Sequence, residues 1–257
     1  MARVAVVTAS DSGIGKATAV RLAADGFDVG ITWRSDEDGA NETAAEVRAH
    51  GRRAEVRRLD LQRKNLPGAA DVIDDLADAL GGVYALVNNA GMSKEGAALD
   101  LSYDDWRETF AVDVDGAFLC AQRAARRMLK AGEGGRIVNV TSVHEHTPLQ
   151  ESVAYVAAKH ALGGLTKQLA GELARHGVTV NAVAPGMIAT AMTGMEDEDP
   201  RDRPQPKIPV GRPGDAREIA SAISWLCSDG AAYTTGHSLV VDGGFLLVNP
   251  SFDPSDD

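Results

Sequence analysis

The chain has 257 residues, with 26 Lys and Arg against 37 Asp and Glu, a formal net charge of −11. A hydrophobic fraction of 44% and a charged fraction of 25% are those of a globular protein with a large core, which excludes disorder, coiled coil and collagen. The acid excess argues against a nucleic-acid binder, because phosphate contacts need clustered Lys and Arg. The one basic cluster, Arg52, Arg53, Arg57 and Arg58, reads as the solvated flank of a strand.

In chain order, the first apolar run, Val4–Thr8, is too short for a signal-peptide core and reads as a strand. A glycine-bearing turn and a helix over Lys16–Asp25 follow, then a strand Val29–Trp33 and a helix Asn41–His50. The pattern continues with strand Ala54–Leu59, helix Gly68–Leu80, strand Ala85–Val87 and a long helix Tyr103–Lys130. It closes with strand Arg136–Val140, helix Val153–Arg175, strand Thr179–Val183, helix Asp215–Ser228 and strand Ser238–Val241. Strict alternation requires right-handed crossovers, and so a parallel sheet covered on both faces. The expected fold is a doubly wound α/β domain with a seven-stranded parallel sheet, spanning residues 1–257 as one unit. No repeat of 20–50 residues interrupts it. No run of 18 apolar residues lacks a charge, so no membrane partner is expected. The two cysteines, Cys120 and Cys227, form no CxxC motif, which points to a reducing, cytoplasmic setting. The segment Gly194–Gly211 carries Glu196-Asp197-Glu198-Asp199 and four prolines, and reads equally as a loop over a substrate or as a solvated acidic loop. The tail Asn249–Asp257 is polar and expected at the periphery.

Between the first strand and its helix stands Ala9-Ser10-Asp11-Ser12-Gly13-Ile14-Gly15. A glycine turn there lets backbone N–H groups approach a pyrophosphate at the positive end of a helix. Ser10, Ser12, Gly13, Ile14 and Gly15 are the candidate cofactor contacts. Ala9 occupies the first glycine position, so either it adopts a comfortable, negative φ or the turn differs locally from the usual fingerprint. After the second strand, an acidic residue would bond an adenosine ribose diol and repel a 2′-phosphate. The chain has Trp33-Arg34-Ser35 there, and a guanidinium beside a hydroxyl suits a phosphate ester. Arg34 and Ser35 therefore favour NADP(H), with NAD(H) the alternative if Arg34 is a solvated charge and Asp36 bonds the ribose.

Tyr155-Val156-Ala157-Ala158-Lys159 places a phenol and an ammonium at i and i+4, on one helix face. A neighbouring cation favours a phenolate and eases proton exchange near neutral pH. Ser142 lies just past the strand Arg136–Val140, at the carboxyl end where parallel sheets gather their sites.

With these motifs the chain resembles the short-chain dehydrogenase/reductase family, in its shorter-subunit branch. The likeness rests on Thr8 with Gly13-Ile14-Gly15, Asp60, Asn88-Asn89-Ala90-Gly91, Ser142, Tyr155 with Lys159, Pro185-Gly186 with Thr190, and Val241-Asp242-Gly243-Gly244. The resemblance implies a Rossmann fold and Tyr155 as general acid and base, with Ser142 positioning the substrate oxygen. It implies that Lys159 both assists the phenol and holds the nicotinamide ribose. It further implies cofactor contacts from Asp60 at adenine, Leu61, Asn88 on the adenosine side, Ala90, Gly91, Tyr155, Pro185, Gly186, Ile188 and Thr190 at the nicotinamide amide. A homotetramer, or a homodimer, is the assembly it implies. Where relatives carry an asparagine that supports a proton-relay water, this chain has Asp113, which joins the candidate catalytic set.

Beside Ser142 runs Val143-His144-Glu145-His146. The two histidines alternate sides of an extended chain and no third ligand has metal spacing, so no metal is expected. A pocket that hydrogen-bonds a sugar, diketone or hydroxyketone is favoured. The Ser142-Val143-His144-Glu145 run, with Trp33-Arg34-Ser35, resembles bacterial glucose dehydrogenases of the family and oxidoreductases labelled acetoin reductases. The expected function is hydride transfer between NADP(H) and a small carbonyl or alcohol. Two alternatives stand beside it: an enoyl reductase, against which the three-residue Tyr155–Lys159 spacer argues, and a non-catalytic dinucleotide sensor.

Overall fold

The computed structural model describes residues 2–195 and 199–248. Three members of the acidic run, 196–198, and the polar tail at 249–257 lie outside the described residues. Seven strands, β1 (Val4–Val7), β2 (Asp28–Trp33), β3 (Ala54–Arg58), β4 (Ala85–Asn88), β5 (Gly135–Val140), β6 (Val178–Pro185) and β7 (Ser238–Val241), form one sheet. Their order is β3-β2-β1-β4-β5-β6-β7 and every pairing is parallel. The helices are α1 (Gly13–Ala24), α2 (Glu37–Ala49), α3 (Val72–Leu80), α4 (Tyr103–Phe110), α5 (Ala117–Ala131), α6 (Val153–Leu173) and α7 (Ala216–Cys227).

Successive strand residues face opposite sides, and both sides are buried. Ala5 and Val7 join the core under α1, α2 and α7, whereas Val6 joins the core that receives α3, α5 and the end of α6. Burial on both faces is why these strands are apolar runs rather than alternating patterns. The chain passes from β1 outward to β2 and β3, then crosses back to β4 on the other side of β1. That reversal opens a crevice at the carboxyl ends of β1 and β4, where open α/β sheets bind ligands.

Several boundaries differ from the pattern in the sequence, among them the start of the first helix, at Gly13 rather than Lys16. Helix α2 begins at Glu37, ahead of the apolar stripe, because the Asp36 carboxylate accepts from Gly39 N at 2.9 Å and caps it. The expected helix from Gly68 begins as a tight turn over Gly68–Asp71 before α3. The expected helix Tyr103–Lys130 is α4 and α5 joined by a wide π-helical turn, Ala111–Gly116, with helical backbone at both junctions. Such turns alter which residues face inward, and here the buried set includes the charged Asp113. In the long loop, Pro200 and Ile208 are buried and Val210 N donates to Gly243 O, so its described part packs beside the chain that follows β7. Among the described residues, no helix is long and apolar enough to cross a membrane.

Candidate active site

The turn after β1 is built on a residue in the left-handed region. Ala9 has φ +49°, so of the two alternatives the negative φ is excluded and the turn carries a side-chain-bearing residue in the left-handed region. Left-handed backbone costs an L-residue about 1–2 kcal/mol, and here both backbone groups are anchored. Ala9 N donates to Thr32 Oγ1 at 3.0 Å and Ala9 O accepts from Asn89 Nδ2 at 2.9 Å. Turned this way, the Ala9 carbonyl lies 2.0 Å from where a Cβ on Gly15 would stand, so only glycine fits at 15. Gly13, at φ +52°, leaves room beside Thr190. The α1 N-cap, Ser12, makes no side-chain capping bond, which leaves the first N–H groups of the helix to a ligand. This cradle fits a pyrophosphate.

Two connected hollows form the cleft. The larger, about 340 Å³, is lined by Ser12, Gly13, Ile14, Arg34, Ser35, Leu61, Ala90, Gly91 and Thr190 among the expected contacts. The smaller, about 120 Å³, is lined by Ser142, Tyr155, Lys159, Pro185, Gly186, Ile188 and Thr190. Ile14, Asn89, Gly91, Thr190 and Met192 line both, so the two are ends of one cleft.

Four expected contacts stand outside that lining, the first being Gly15, which is buried against the Ala9 carbonyl. The Ser10 hydroxyl is buried, donating to Val7 O and accepting from Thr32 N, which ties the turn to β2. The Asp60 carboxylate is paired with Arg58 at 3.3 Å, while its neighbours Leu59 and Leu61 face the cleft. Asn88 faces the core, donating to Asn139 Oδ1 and Ala117 O. Its neighbour Asn89, on the opposite side of the chain, lines the cleft and holds the carbonyls of Thr8 and Ala9. Asn89 lies within the same motif as Asn88, and nothing in the motif says which asparagine points inward. Asp11, a further residue beyond the expected contacts, lines the larger hollow, and burial, aided by the nearby Asp36 charge, raises its carboxyl above the ordinary range. Asp36 itself caps α2, whereas Arg34 and Ser35 line the cleft.

At the other end, β5 delivers Ser142 and the first turns of α6 deliver Tyr155 and Lys159. Ser142 Oγ accepts from His144 N at 3.2 Å, so its own O–H remains free to donate into the cleft. Lys159 is buried, its Nζ 5.3 Å from the Tyr155 ring centroid and donating to Val140 O at 3.3 Å. The π-helical turn brings in Asp113, whose Oδ2 lies 3.0 Å from Lys159 Nζ and whose Oδ1 accepts from Met92 N. Burial pushes the Asp113 carboxyl above its ordinary value, against the pull of Lys159 and of the Met92 N–H. Burial alone would lower Lys159, but the Asp113 charge leads a set of contacts that holds it above its ordinary value.

The two histidines have separate partners. His144 lies edge-on to Tyr155, ring centroids 6.4 Å apart, with Nδ1 3.3 Å from Thr147 O. Donation from Nδ1 leaves Nε2 as an acceptor, and burial holds the imidazole below its ordinary pKa. His146 Nε2 instead meets Ser238 Oγ at 3.3 Å.

Comparison with known proteins adds four findings. The family model described as Enoyl-(Acyl carrier protein) reductase matches residues 8–246. The chain is 60% identical to the uncharacterized oxidoreductase YohF of Escherichia coli K12, over 99% of this chain and 100% of that protein. It is similar to the crystal structure of acetoin dehydrogenase YohF from Salmonella typhimurium, with TM-score 0.92 and 60% identity over 98% of this chain and 99% of that one. The acetoin dehydrogenase structure from Enterobacter cloacae gives TM-score 0.92 and 58% identity over 99% of each chain.

Proposed function

Because the chain belongs to the short-chain dehydrogenase/reductase family, and so is an oxidoreductase enzyme with an NAD(P) dinucleotide cofactor, we propose that it interconverts a small hydroxyketone or diketone with its alcohol, using NADP(H). The observation that carries this is the meeting of Ser142, Tyr155 and Lys159 around one small hollow continuous with the phosphate-binding turn. The turn at 12–15 and the α1 N-terminus would hold the pyrophosphate, Arg34 and Ser35 the 2′-phosphate, and Lys159 and Thr190 the nicotinamide end. Bound there, the nicotinamide supplies or accepts the hydride at the substrate carbon.

The chain's own groups handle the oxygen. The free O–H of Ser142 donates to the substrate oxygen and orients it, and the Tyr155 phenol gives or takes that oxygen's proton. The buried Lys159 ammonium stabilises the phenolate form, and Asp113 keeps that ammonium charged and in place. The neutral His144 beside Tyr155 offers Nε2 as an acceptor, which suits a substrate with a second hydroxyl. The similarity to structures described as acetoin dehydrogenases points to the same class. Ser142 and the three-residue Tyr155–Lys159 spacer support a carbonyl over the C=C bond of an enoyl reductase.

A panel of NADPH consumption against diketones, hydroxyketones, sugars, ketosteroids and an enoyl thioester tests the substrate. The highest kcat/KM is expected with diketones and hydroxyketones; turnover confined to the thioester, or none at all, removes the proposal. Cofactor choice is tested by Arg34→Ala. A charge-assisted bond to phosphate is worth about 1.5–3 kcal/mol, or about 10–100-fold in affinity. NADPH binding is expected to weaken by that factor and NADH binding to stay the same. Equal loss for both would show that Arg34 does not read the phosphate. The proposal extends to a homotetramer, supported by the partly exposed apolar side chains Phe118 and Leu129 on α5. Light scattering is expected to give the mass of four chains, and a monomer mass at micromolar concentration would reject it.

A further inference from the structure

Outside the reacting groups, one buried acidic side chain joins three elements of the site. The turn Val143–Glu145 follows Ser142 and is capped by it. Its last residue, Glu145, has a side chain only 4% exposed. One carboxyl oxygen, Oε2, accepts from Ser238 Oγ at 2.9 Å, at the start of β7. Ser238 Oγ in turn lies 3.3 Å from His146 Nε2, which completes a chain of bonds from imidazole to hydroxyl to carboxyl. The other oxygen, Oε1, lies over α6 at Gly163, only 2.2 Å from where a Cβ on that residue would stand.

Gly163 is one helical turn beyond Lys159, on the same face. A glycine inside a helix weakens it, and a carboxyl group taken out of water is costly. Both penalties fall at one contact, between the turn that carries Ser142 and the helix that carries Tyr155 and Lys159. Apolar packing would have satisfied the core at lower cost.

We propose that Glu145 is a positioning residue, a clamp seated on Gly163 and Ser238 that fixes the Ser142 turn relative to Tyr155. It touches no reacting atom; it sets the spacing of two groups that must hold the same substrate oxygen. The proposal rests on the roles given above to Ser142 and Tyr155.

The test uses the full-length enzyme, NADPH and the substrate turned over best in the panel. Glu145→Ala is expected to lower kcat by about 10–100-fold, the scale on which a small misplacement of reacting groups acts, with NADPH affinity unchanged. Glu145→Gln keeps the length and an oxygen for Ser238, and is expected to restore kcat. Gly163→Ala puts a methyl where Oε1 lies, and is expected to lower kcat as Glu145→Ala does. In the Glu145→Ala background it should add nothing, because the displaced group is already gone. Wild-type kcat in Glu145→Ala or in Gly163→Ala overturns the clamp, as does a multiplicative loss in the double variant. If Glu145→Ala does not fold, Glu145→Gln and Gly163→Ala still decide: lost turnover in the first, or normal turnover in the second, overturns it. Ser142→Ala separates the two levels. Normal turnover there takes down the role of Ser142 and the clamp with it, whereas loss there with wild-type Glu145→Ala removes the clamp alone.

Discussion

Replacing Tyr155 with Phe is expected to leave NADPH binding intact and to lower kcat by at least ~10²-fold, the low end for general acid–base catalysis. That factor corresponds to about 2.7 kcal/mol of transition-state stabilisation. The substitution removes one oxygen and keeps the ring. The ring meets His144 edge-on and lies 5.3 Å from Lys159 Nζ, and neither contact uses the hydroxyl. Packing and the lysine's place are therefore preserved while the proton donor is lost. Fluorescence titration of NADPH and a turnover assay on the same preparation check both halves. Turnover within a few-fold of wild type would remove Tyr155 from the mechanism.

Removing the other half of the constellation should cost stability as well as rate. Lys159→Met strands the Asp113 carboxylate, which is fully buried and has Lys159 3.0 Å away as its ionic partner. Breaking a buried pair from one side costs about 3–5 kcal/mol, which at this chain length lowers Tm by on the order of 10 °C. The double variant Lys159→Met with Asp113→Asn should regain most of that Tm and none of the activity. An amide oxygen still accepts from Met92 N, and no charge is left alone. Asp113→Asn by itself is expected to retain turnover. Lys159 then loses the charge that holds its pKa up, so the alkaline limb of the pH–rate profile moves to lower pH. Asp113→Ala, which removes the anchor to Met92 as well, is expected to lose about tenfold or more in kcat. An unchanged Tm in Lys159→Met, measured by calorimetry, would show that the pair carries no stability. One pH–rate profile shared by wild type, Asp113→Asn and Asp113→Ala would make the carboxylate a spectator.

Much of this site is local in sequence and so could be read there. Tyr155 and Lys159 are one helical turn apart, and that spacing alone sets them on one face. Gly13 and Gly15 lie between an apolar run and a helix, the context in which a turn must come close to a ligand. The parallel sheet follows from the alternation of elements, because strands buried on both faces read as unbroken apolar runs. Arg34 and Ser35 directly follow the end of the second strand, and that position alone sets them at the cleft.

What the sequence by itself determined is thus spacing along the chain: the fold class, the helix face bearing the phenol and ammonium, and the turn that follows β1. What only the tertiary structure decided is phase and long-range contact. Which of Asn88 and Asn89 enters the cleft depends on the face that β4 turns to its neighbours, and alternation fixes a difference in direction, not the direction itself. Ser10 left the cleft lining because Thr32, from the neighbouring strand β2, offered it a bond, whereas Asp60 pairs locally with Arg58, two residues before it. The left-handed Ala9 is held by Thr32 and Asn89, both remote in sequence. Asp113 meets Lys159 only because a π-helical turn rotates it inward, and Glu145 reaches Gly163 and Ser238 only once α6 and β7 are laid side by side. Periodicity reports which residues share a face; the partner across that face is chosen by packing, where burial makes each polar group satisfy itself with whatever the fold brings near.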